Sequence, residues 1–527
     1  MIDIQTSSGK WEKFCQQIET FLQADLVDLE IDGERVRGYR SPDSPALWIR
    51  DHSDIMRGGK YFESDMQSAV NCFANSQARN GRVFDHVLTR PLKHSNEREN
   101  WEKWVRVPVE ADVEYRFVKA AQQAWQATGD HAWLRDILPA LELALHYSSS
   151  HPLRWDAKHQ LVKRPYTIDT WDFDYTAGRQ KWLNFQITDD TFWGIMHCDN
   201  SGVYEAAQTL ATMNAFLGNS GKAEHWQRLA EGIRERANAL LFNGRFYTHF
   251  HKLTPIRIEG VDEAEQLSLS TPMAITRKLA THEIAVAILQ EYQRRKKSSG
   301  AFAEWFGIHP PFPDGIFGDE KLVGGAYING GIFPLSGGEL ACAAFAHGFE
   351  SYGLHILDQY RAMIAESNAT YLWYFPDGRA STEETSTSPE AMPTDGWGST
   401  AMLHGFIEGL CGIEDLTHSF QKVRCSPRWA ATDEKEADIK IGYAASGATF
   451  GYRFQHYPEN KTLLLEIEAQ DSEVEVRLLL PKNSRVRSML WDGKPVQHGT
   501  ETIESSQYAV AKSHIQGITK IGVHYES

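Results

Sequence analysis

No CxxC pair occurs among the six cysteines; Cys15, Cys72, Cys198, Cys342, Cys411 and Cys425 stand singly in or near apolar segments. A free cysteine in such surroundings behaves as a small hydrophobe, so neither a disulfide framework nor a structural zinc is expected. That usage fits a reducing compartment, and the cytoplasm is the expected location. Positive charge is also short. Lys and Arg number 54 against 70 Asp and Glu, a net charge of −16, which argues against a general nucleic-acid binder, since such proteins need a basic face to displace counterions. No stretch approaches the roughly 20 apolar residues of a bilayer crossing, and the first residues lack the basic and apolar regions of a signal peptide. No membrane association is expected, and no motif reports an oligomeric state. What the chain does hold in quantity is tryptophan: 16 Trp, beside 19 Tyr and 25 Phe, in 527 residues. That length exceeds one ordinary core, so it implies several domains or one large closed architecture.

The hydrophobic period changes along the chain. Residues 11–24 read as an amphipathic helix, and 25–49 as a small β segment turning at Asp32-Gly33. From about 60 to 415 the spacing is helical and paired. The clearest hairpin joins 201–217 to 219–242, where Trp226, Leu229, Ile233, Ala237 and Leu240 recur on one face. Further hairpins are expected at 110–127 with 131–149 and at 337–350 with 352–366, with single helices at 63–79, 272–294 and 397–410. The connections around 80–108, 151–195, 243–270, 300–335 and 370–396 are long and rich in Gly, Pro, Asp and aromatics. Loops of that length usually serve a function, and gathered at one end of a barrel they would wall a cleft. After about residue 420 the period is two, and a C-terminal β-sandwich is expected over 420–527.

Four segments carry chemistry. In the first, Trp48-Ile-Arg-Asp-His-Ser-Asp-Ile-Met-Arg, the groups Arg50, Asp51, Asp54 and Arg57 crowd into eight residues. Charges that dense beside aromatics suit a polyhydroxylated ligand, because a carboxylate or guanidinium fork holds adjacent hydroxyls; the plainer alternative is a solvated loop of ion pairs. In the second, Tyr166-Thr-Ile-Asp-Thr-Trp-Asp-Phe-Asp-Tyr, Asp169, Asp172 and Asp174 alternate with Trp171, Phe173 and Tyr175. A carboxyl against aromatic rings is poorly hydrated, which raises its pKa and keeps the proton a general acid must donate. The spacing lacks the glycine and closing glutamate of a calcium loop. The third is the polar loop after Asp377, bearing Glu383, Glu384, Glu390 and Asp395 between Trp373 and Trp397, and it reads as the source of a base or as a plain surface loop. The fourth, Gly324–Gly338, is glycine-dense and carries Asn329, with Glu339 and His347 beyond it, but lacks a P-loop ending. His347, on an apolar helix, reads as a core histidine.

These residues resemble the six-hairpin glycosidases, the (α/α)6-barrel group of glucoamylases, trehalases and debranching enzymes. Trp48-Ile49-Arg50-Asp51 is similar to the segment with which glucoamylase-like enzymes hold the sugar at the cleavage point. Thr170-Trp171-Asp172-Phe173 resembles the Gly-Trp-Asp-Phe of trehalases, whose aspartate is the general acid, which maps onto Asp172. Gly396-Trp397-Gly398-Ser399 resembles the barrel's ending, where the base-carrying loop precedes the last helix. The resemblance implies a mainly α fold, an (α/α)6 barrel over 60–415 with a short N-terminal β segment over 1–59 and the C-terminal β-sandwich, which relatives such as rhamnosidases also carry. The trehalase glutamate before Gly-Trp-Asp is missing, with Asp169 nearby, so trehalose is not indicated.

The expected function is hydrolysis of an oligosaccharide with inversion. Asp172 is the acid, and Glu383 or Glu384, then Glu390, then Glu339, the base, about 6.5–9.5 Å across the sugar. Trp48, Arg50, Asp51, Asp54, Arg57, Trp171, Asp174, Asn329, Trp373, Glu390 and Trp397 are the expected substrate-binding residues. No cofactor or metal is required. The rivals are a phosphorylase, with phosphate in place of the base; a sugar epimerase, needing a histidine pair for which His52 and His347 are the candidates; and a non-catalytic carbohydrate-binding barrel.

Overall fold

The computed structural model describes residues 1–41, 46–88, 104–170, 173–179, 186–386 and 391–526. Twelve α-helices occur among them: α1 (Lys10–Asp25), α2 (Ile49–Gly59), α3 (Ser68–Asn75), α4 (Val113–Thr128), α5 (His131–Ser150), α6 (His197–Phe216), α7 (Ser220–Leu241), α8 (Thr271–Thr276), α9 (His282–Ser299), α10 (Pro334–Ala346), α11 (Glu350–Ser367) and α12 (Gly396–His404), the last continued by a π turn, Gly405–Leu410. Each even-numbered helix packs on the next, and α12 packs back on α2, closing a ring of six. The odd-numbered helices form the outer layer, each laying one apolar stripe inward: Trp11, Phe14, Ile18, Phe21 and Leu22 from α1, and Trp226, Ala230, Ile233, Ala237 and Leu241 from α7. This is an (α/α)6 barrel. Among the described residues no helix is long and apolar enough to cross a membrane, and the six cysteines are free.

An inner helix has no solvent face, so its polar residues turn to the barrel axis and must be paired there. The pairs run round the ring. Trp397 of α12 donates to Asp54 of α2 at 2.8 Å, and Arg116 of α4 binds the other oxygen of Asp54 at 2.5 Å. Arg50 of α2 reaches Asp112 at the start of α4. Lys119 of α4 approaches Glu205 of α6 at 3.6 Å, and Glu205 faces Arg277 beyond α8 at 3.6 Å. Glu339 of α10 accepts from Thr276 of α8 and pairs with Arg57 of α2 at 2.7 Å. Between α10 and α12 the contact is bare backbone: a Cβ on Gly338 would stand 2.3 Å from the carbonyl carbon of Ala401.

Three expectations change here. The segment after Trp48 is not a loop before the barrel but α2 itself, an inner helix buried at every position; its charges mask the apolar period because they point at the axis. Residues before 60 thus belong to the barrel, since α1 packs on α12 and α2 closes the ring. The single helix expected over 272–294 is two, α8 and α9, broken where Lys278 takes φ 65 and Thr281 caps α9 by accepting from Ile284 N–H. The helix expected over 63–79 is the shorter α3.

The β segment is the hairpin Leu26–Ile31 with Glu34–Tyr39, turned at Asp32-Gly33, both with positive φ, the geometry that matches strand twist. The C-terminal β-sandwich is organised by two long strands, Thr462–Leu479 and Ser506–Glu526, paired throughout with a register shift between Ala469 and Ser472. Before the shift the first of them pairs with Thr449–Tyr457, and after it with Lys422–Cys425. Ile2–Thr6 adds an antiparallel strand to Glu436–Gly442, so the first residues of the chain complete the last domain.

Candidate active site

The two ends of the ring differ. Connections at the carboxyl ends of the inner helices are short: 129–130, 217–219, 277–281 and 347–349. Those leading into their amino ends are long: 76–112, 151–196, 242–270, 300–333 and 368–395. The polar groups of interest lie at this loop-walled end.

Arg50 is fixed by protein. Its guanidinium takes both oxygens of Asp112 and one of Glu110, each at 2.6 Å, and is buried. Asp54 is likewise enclosed; burial alone would raise its pKa, but Arg116, Lys119 and Arg57 hold it well below the usual carboxylate range. Arg57 faces Glu339, whose own carboxyl it draws downward against burial. Arg50, Asp54 and Arg57, expected to clamp a ligand, therefore stitch the ring instead, because three cations or anions inside a closed helical layer need partners more than exposed ones do.

Asp51 is the exception. It follows Arg50 in the first turn of α2, is 7% exposed, and among the described residues accepts no hydrogen bond from another residue. Burial, helped by the charge of Asp54 and opposed by Arg50, pushes its pKa up to about 7. It is a buried carboxyl in the first turn of an inner helix whose only hydrogen-bond donor among the described residues is its own backbone N–H. Trp48, one residue before α2, retains partial exposure and stands 3.9 Å, ring to ring, from buried His86, which Arg50 helps keep neutral.

The aspartate-rich segment is a tight hairpin. Tyr175 N–H donates to Tyr166 O at 2.8 Å, and Thr167 pairs with Asp174 across it. Phe173 takes φ 55 and meets Tyr327 edge-on at 6.0 Å. Asp174 is buried, and Asp169 wholly so, its pKa raised to about 6 by burial against the bonds from Thr170 and Ser270. Trp171 and Asp172 lie outside the described residues, as does Glu390.

Other expected ligands are placed differently. Glu383 and Glu384 are exposed on a turn in which Thr385 and Ser386 N–H donate to Thr382 O, with Lys321 holding the carbonyls of Glu383 and Ser386. Neither carboxyl has the enclosed setting across from the hairpin that a base was expected to occupy. Asn329 staples its own loop, accepting from Phe312 N–H at 2.7 Å and donating to Phe312 O and Leu322 O. Trp373 is fully buried against Phe375 and Tyr327, and Trp397 spends its N–H on Asp54, so both are walls, and of the three described tryptophans only Trp48 is partly exposed. His52 accepts from Tyr39 N–H on the outer side of α2, while His347 lies at the far end of the barrel with His282 at 2.9 Å; the histidine pair of the epimerase reading is not brought together. Residues missed from the sequence include His86, Glu110, Asp112, Arg164, His197, Ser268 and Ser270. The Ser268-Leu-Ser-Thr-Pro run was a visible helix-start signal; the others carry no local pattern.

No family model matches the chain, and no curated protein matches it. Solved structures do. The chain is similar to an alpha-L-rhamnosidase from Dictyoglumus thermophilum, at 13% identity and a TM-score of 0.62 over 99% of this chain and 50% of that one. It is similar to the Streptomyces avermitilis alpha-L-rhamnosidase complexed with L-rhamnose, at 14% and 0.59 over 99% and 42%. A GH78 family rhamnosidase of a Bacillus species matches at 15% and 0.58 over 91% and 43%. The chain thus spans half or less of the length of these structures. At such identities the likeness bears out the architecture, an (α/α)6 barrel with a β-sandwich.

Proposed function

We propose that this protein is a glycoside hydrolase whose site is the loop-walled end of the barrel. The observation that supports the reading is Asp51: among the described residues every other inner-helix carboxylate is engaged by another residue, and this one accepts no hydrogen bond from another residue. A buried carboxyl that takes no donor from another residue costs stability, so its setting suits a ligand that brings hydroxyl donors. Trp48, partly exposed one residue before α2, is the aromatic nearest in sequence to that carboxyl. The fold shared with the rhamnosidases supports the class of reaction, and makes an α-L-rhamnoside the first substrate to try.

In this reading Asp172 protonates the departing oxygen, and Asp51 holds sugar hydroxyls. A carboxylate of the 383–390 loop deprotonates water on the opposite face, giving inversion. Glu383 and Glu384 sit on an exposed turn, so that loop must fold inward over bound sugar for either to act; Glu390 is the other choice.

The test is a panel of 4-nitrophenyl glycosides, α-L-rhamnoside first, run with and without phosphate and with products followed by NMR. Hydrolysis independent of phosphate, lowered about 10³-fold in Asp172→Asn with an unchanged melting temperature, is the expected result. Sugar 1-phosphate formed only with phosphate present would make the enzyme a phosphorylase, and full activity in Asp172→Asn would remove the acid assignment.

A further inference from the structure

Histidine meets histidine at two places on the short-loop end of the barrel, both where the C-terminal part of the chain docks. His131, the first residue of α5, has its Nε2 3.2 Å from Nε2 of His418, in the turn before the strand Lys422–Cys425. His282, the first residue of α9, has its Nδ1 2.9 Å from Nδ1 of His347, at the end of α10. The other nitrogen of His282 lies 2.9 Å from Glu504, in the turn of the sandwich hairpin that joins Gly499–Ile503 to Ser506–Glu526. Neighbouring bonds close the same contacts: Ser419 N–H donates to Gln126 O, and the hydroxyls of Ser506 and Tyr508 donate to Glu350 of α11.

In a neutral pair one ring's N–H donates to the bare nitrogen of the other. One further proton is accommodated, because a ring protonated at both nitrogens still donates to a bare partner. Carboxylates favour that first proton: Asp130 beside His131, and Glu283 and Glu504 beside His282. A second proton sets two N–H groups, both on cations, against each other. His418 has no other outlet. It is 2% exposed between Trp125 and Phe216, and its Nδ1 is buried and, among the described residues, without a hydrogen-bond partner. Burial and His131 push its pKa down to about 4; burial and His282, opposed by Glu504, do the same to His347. A group whose pKa falls below its ordinary 6.5 on docking lends stability in full above that value and loses it as pH drops towards 4.

We propose that the β-sandwich is held to the barrel by an acid-sensitive latch, in which His131–His418 and His282–His347 each bear one positive charge at most and part when both rings of a pair are charged. The device is local to the short-loop end and independent of the function proposed for the opposite end.

Amide hydrogen exchange of the whole protein at about pH 7.5 and about pH 5.0, with times scaled for the intrinsic pH dependence of exchange, tests it. Protection over 346–350, 416–420 and 503–506 should fall at least about tenfold at the lower pH, while α6 changes by less than about twofold. His347→Asn and His418→Gln place an amide near the ring nitrogen of each contact, keeping one hydrogen bond and removing the charge. Each single variant should abolish the fall in its own segments, 346–350 and 503–506 for the first and 416–420 for the second, and leave the other pair's fall in place. The partner substitutions His282→Asn and His131→Gln make the same prediction from the other ring, and decide if the first two do not fold. A fall that persists unchanged in the variants, one that extends through α6, or none in the wild type overturns the latch.

Discussion

The two ends of the barrel are built from the same six inner helices yet treat polar groups in opposite ways. At the short-loop end a connection does one job. Between α4 and α5 it is Gly129, at φ 66, and Asp130, whose carboxylate caps α5 by accepting from Trp133 N–H at 2.9 Å. Polar groups near that end are matched to one another: Lys60 to Gln123 and Gln126, and His347 to His282 and through it to Glu504 of the β-sandwich. At the loop-walled end the matching is as dense for Arg50, Asp54 and Asp169 but stops at Asp51. The difference separates charge that holds a closed helical ring from the one carboxyl that the proposed function gives to a ligand, and it cannot be read from how many charges a segment carries.

Breaking the ring at its buried pairs should have the largest effect. Arg50→Ala leaves Glu110 and Asp112 buried without their cation and is expected to cost about 3–5 kcal/mol, read as a lowered midpoint in urea unfolding. Asp51→Asn should act in the opposite direction on stability while weakening function. A carboxyl whose pKa rises on folding, here to about 7 from an ordinary 3.8, leaves stability intact below about pH 4 and subtracts from it as pH climbs to 7. The variant should therefore melt with wild type at pH 4 and above it at pH 8, by a margin on the order of a few kcal/mol, with a raised KM for the sugar. Equal melting at both values would mean that Asp51 is not held dry. The smallest effect belongs to the short-loop end. Gly129→Ala forces a side chain into left-handed backbone with its Cβ 2.7 Å from Ser419 Oγ, costing about 1–2 kcal/mol and leaving kcat unchanged.

The outer layer of the barrel was legible in the sequence because an outer helix has one wet face and therefore a period. The hairpins α4–α5, α6–α7 and α10–α11 fall close to their expected limits. Two of the inner helices, α2 and α8, lose that signal. α2, buried at all eleven positions, reads as a charged loop, since its polar side faces the axis and not water. α8 vanished into α9 because the break depends on one residue, Lys278, in a backbone region its side chain does not advertise. The site divides the same way. Trp48 and Asp51 were named with the rest of their segment, but nothing local distinguishes Asp51 from Arg50 or Asp54; only their partners do, and those lie about 60 residues away or more in the chain, as with Asp112 and Trp397. Asp169 stood beside the expected acid, and its anchor at Leu269 and Ser270 is a contact no spacing rule reaches.

The central claim is that sugar binds at the loop-walled end. Amide hydrogen exchange of the wild-type protein, with and without a saturating concentration of the sugar released in the glycoside panel, tests it most directly. Added protection should appear over 46–54, 164–170 and 372–386, with none over 129–131, 217–220 and 347–350. Protection confined to the short-loop end, or to the β-sandwich, would contradict the account.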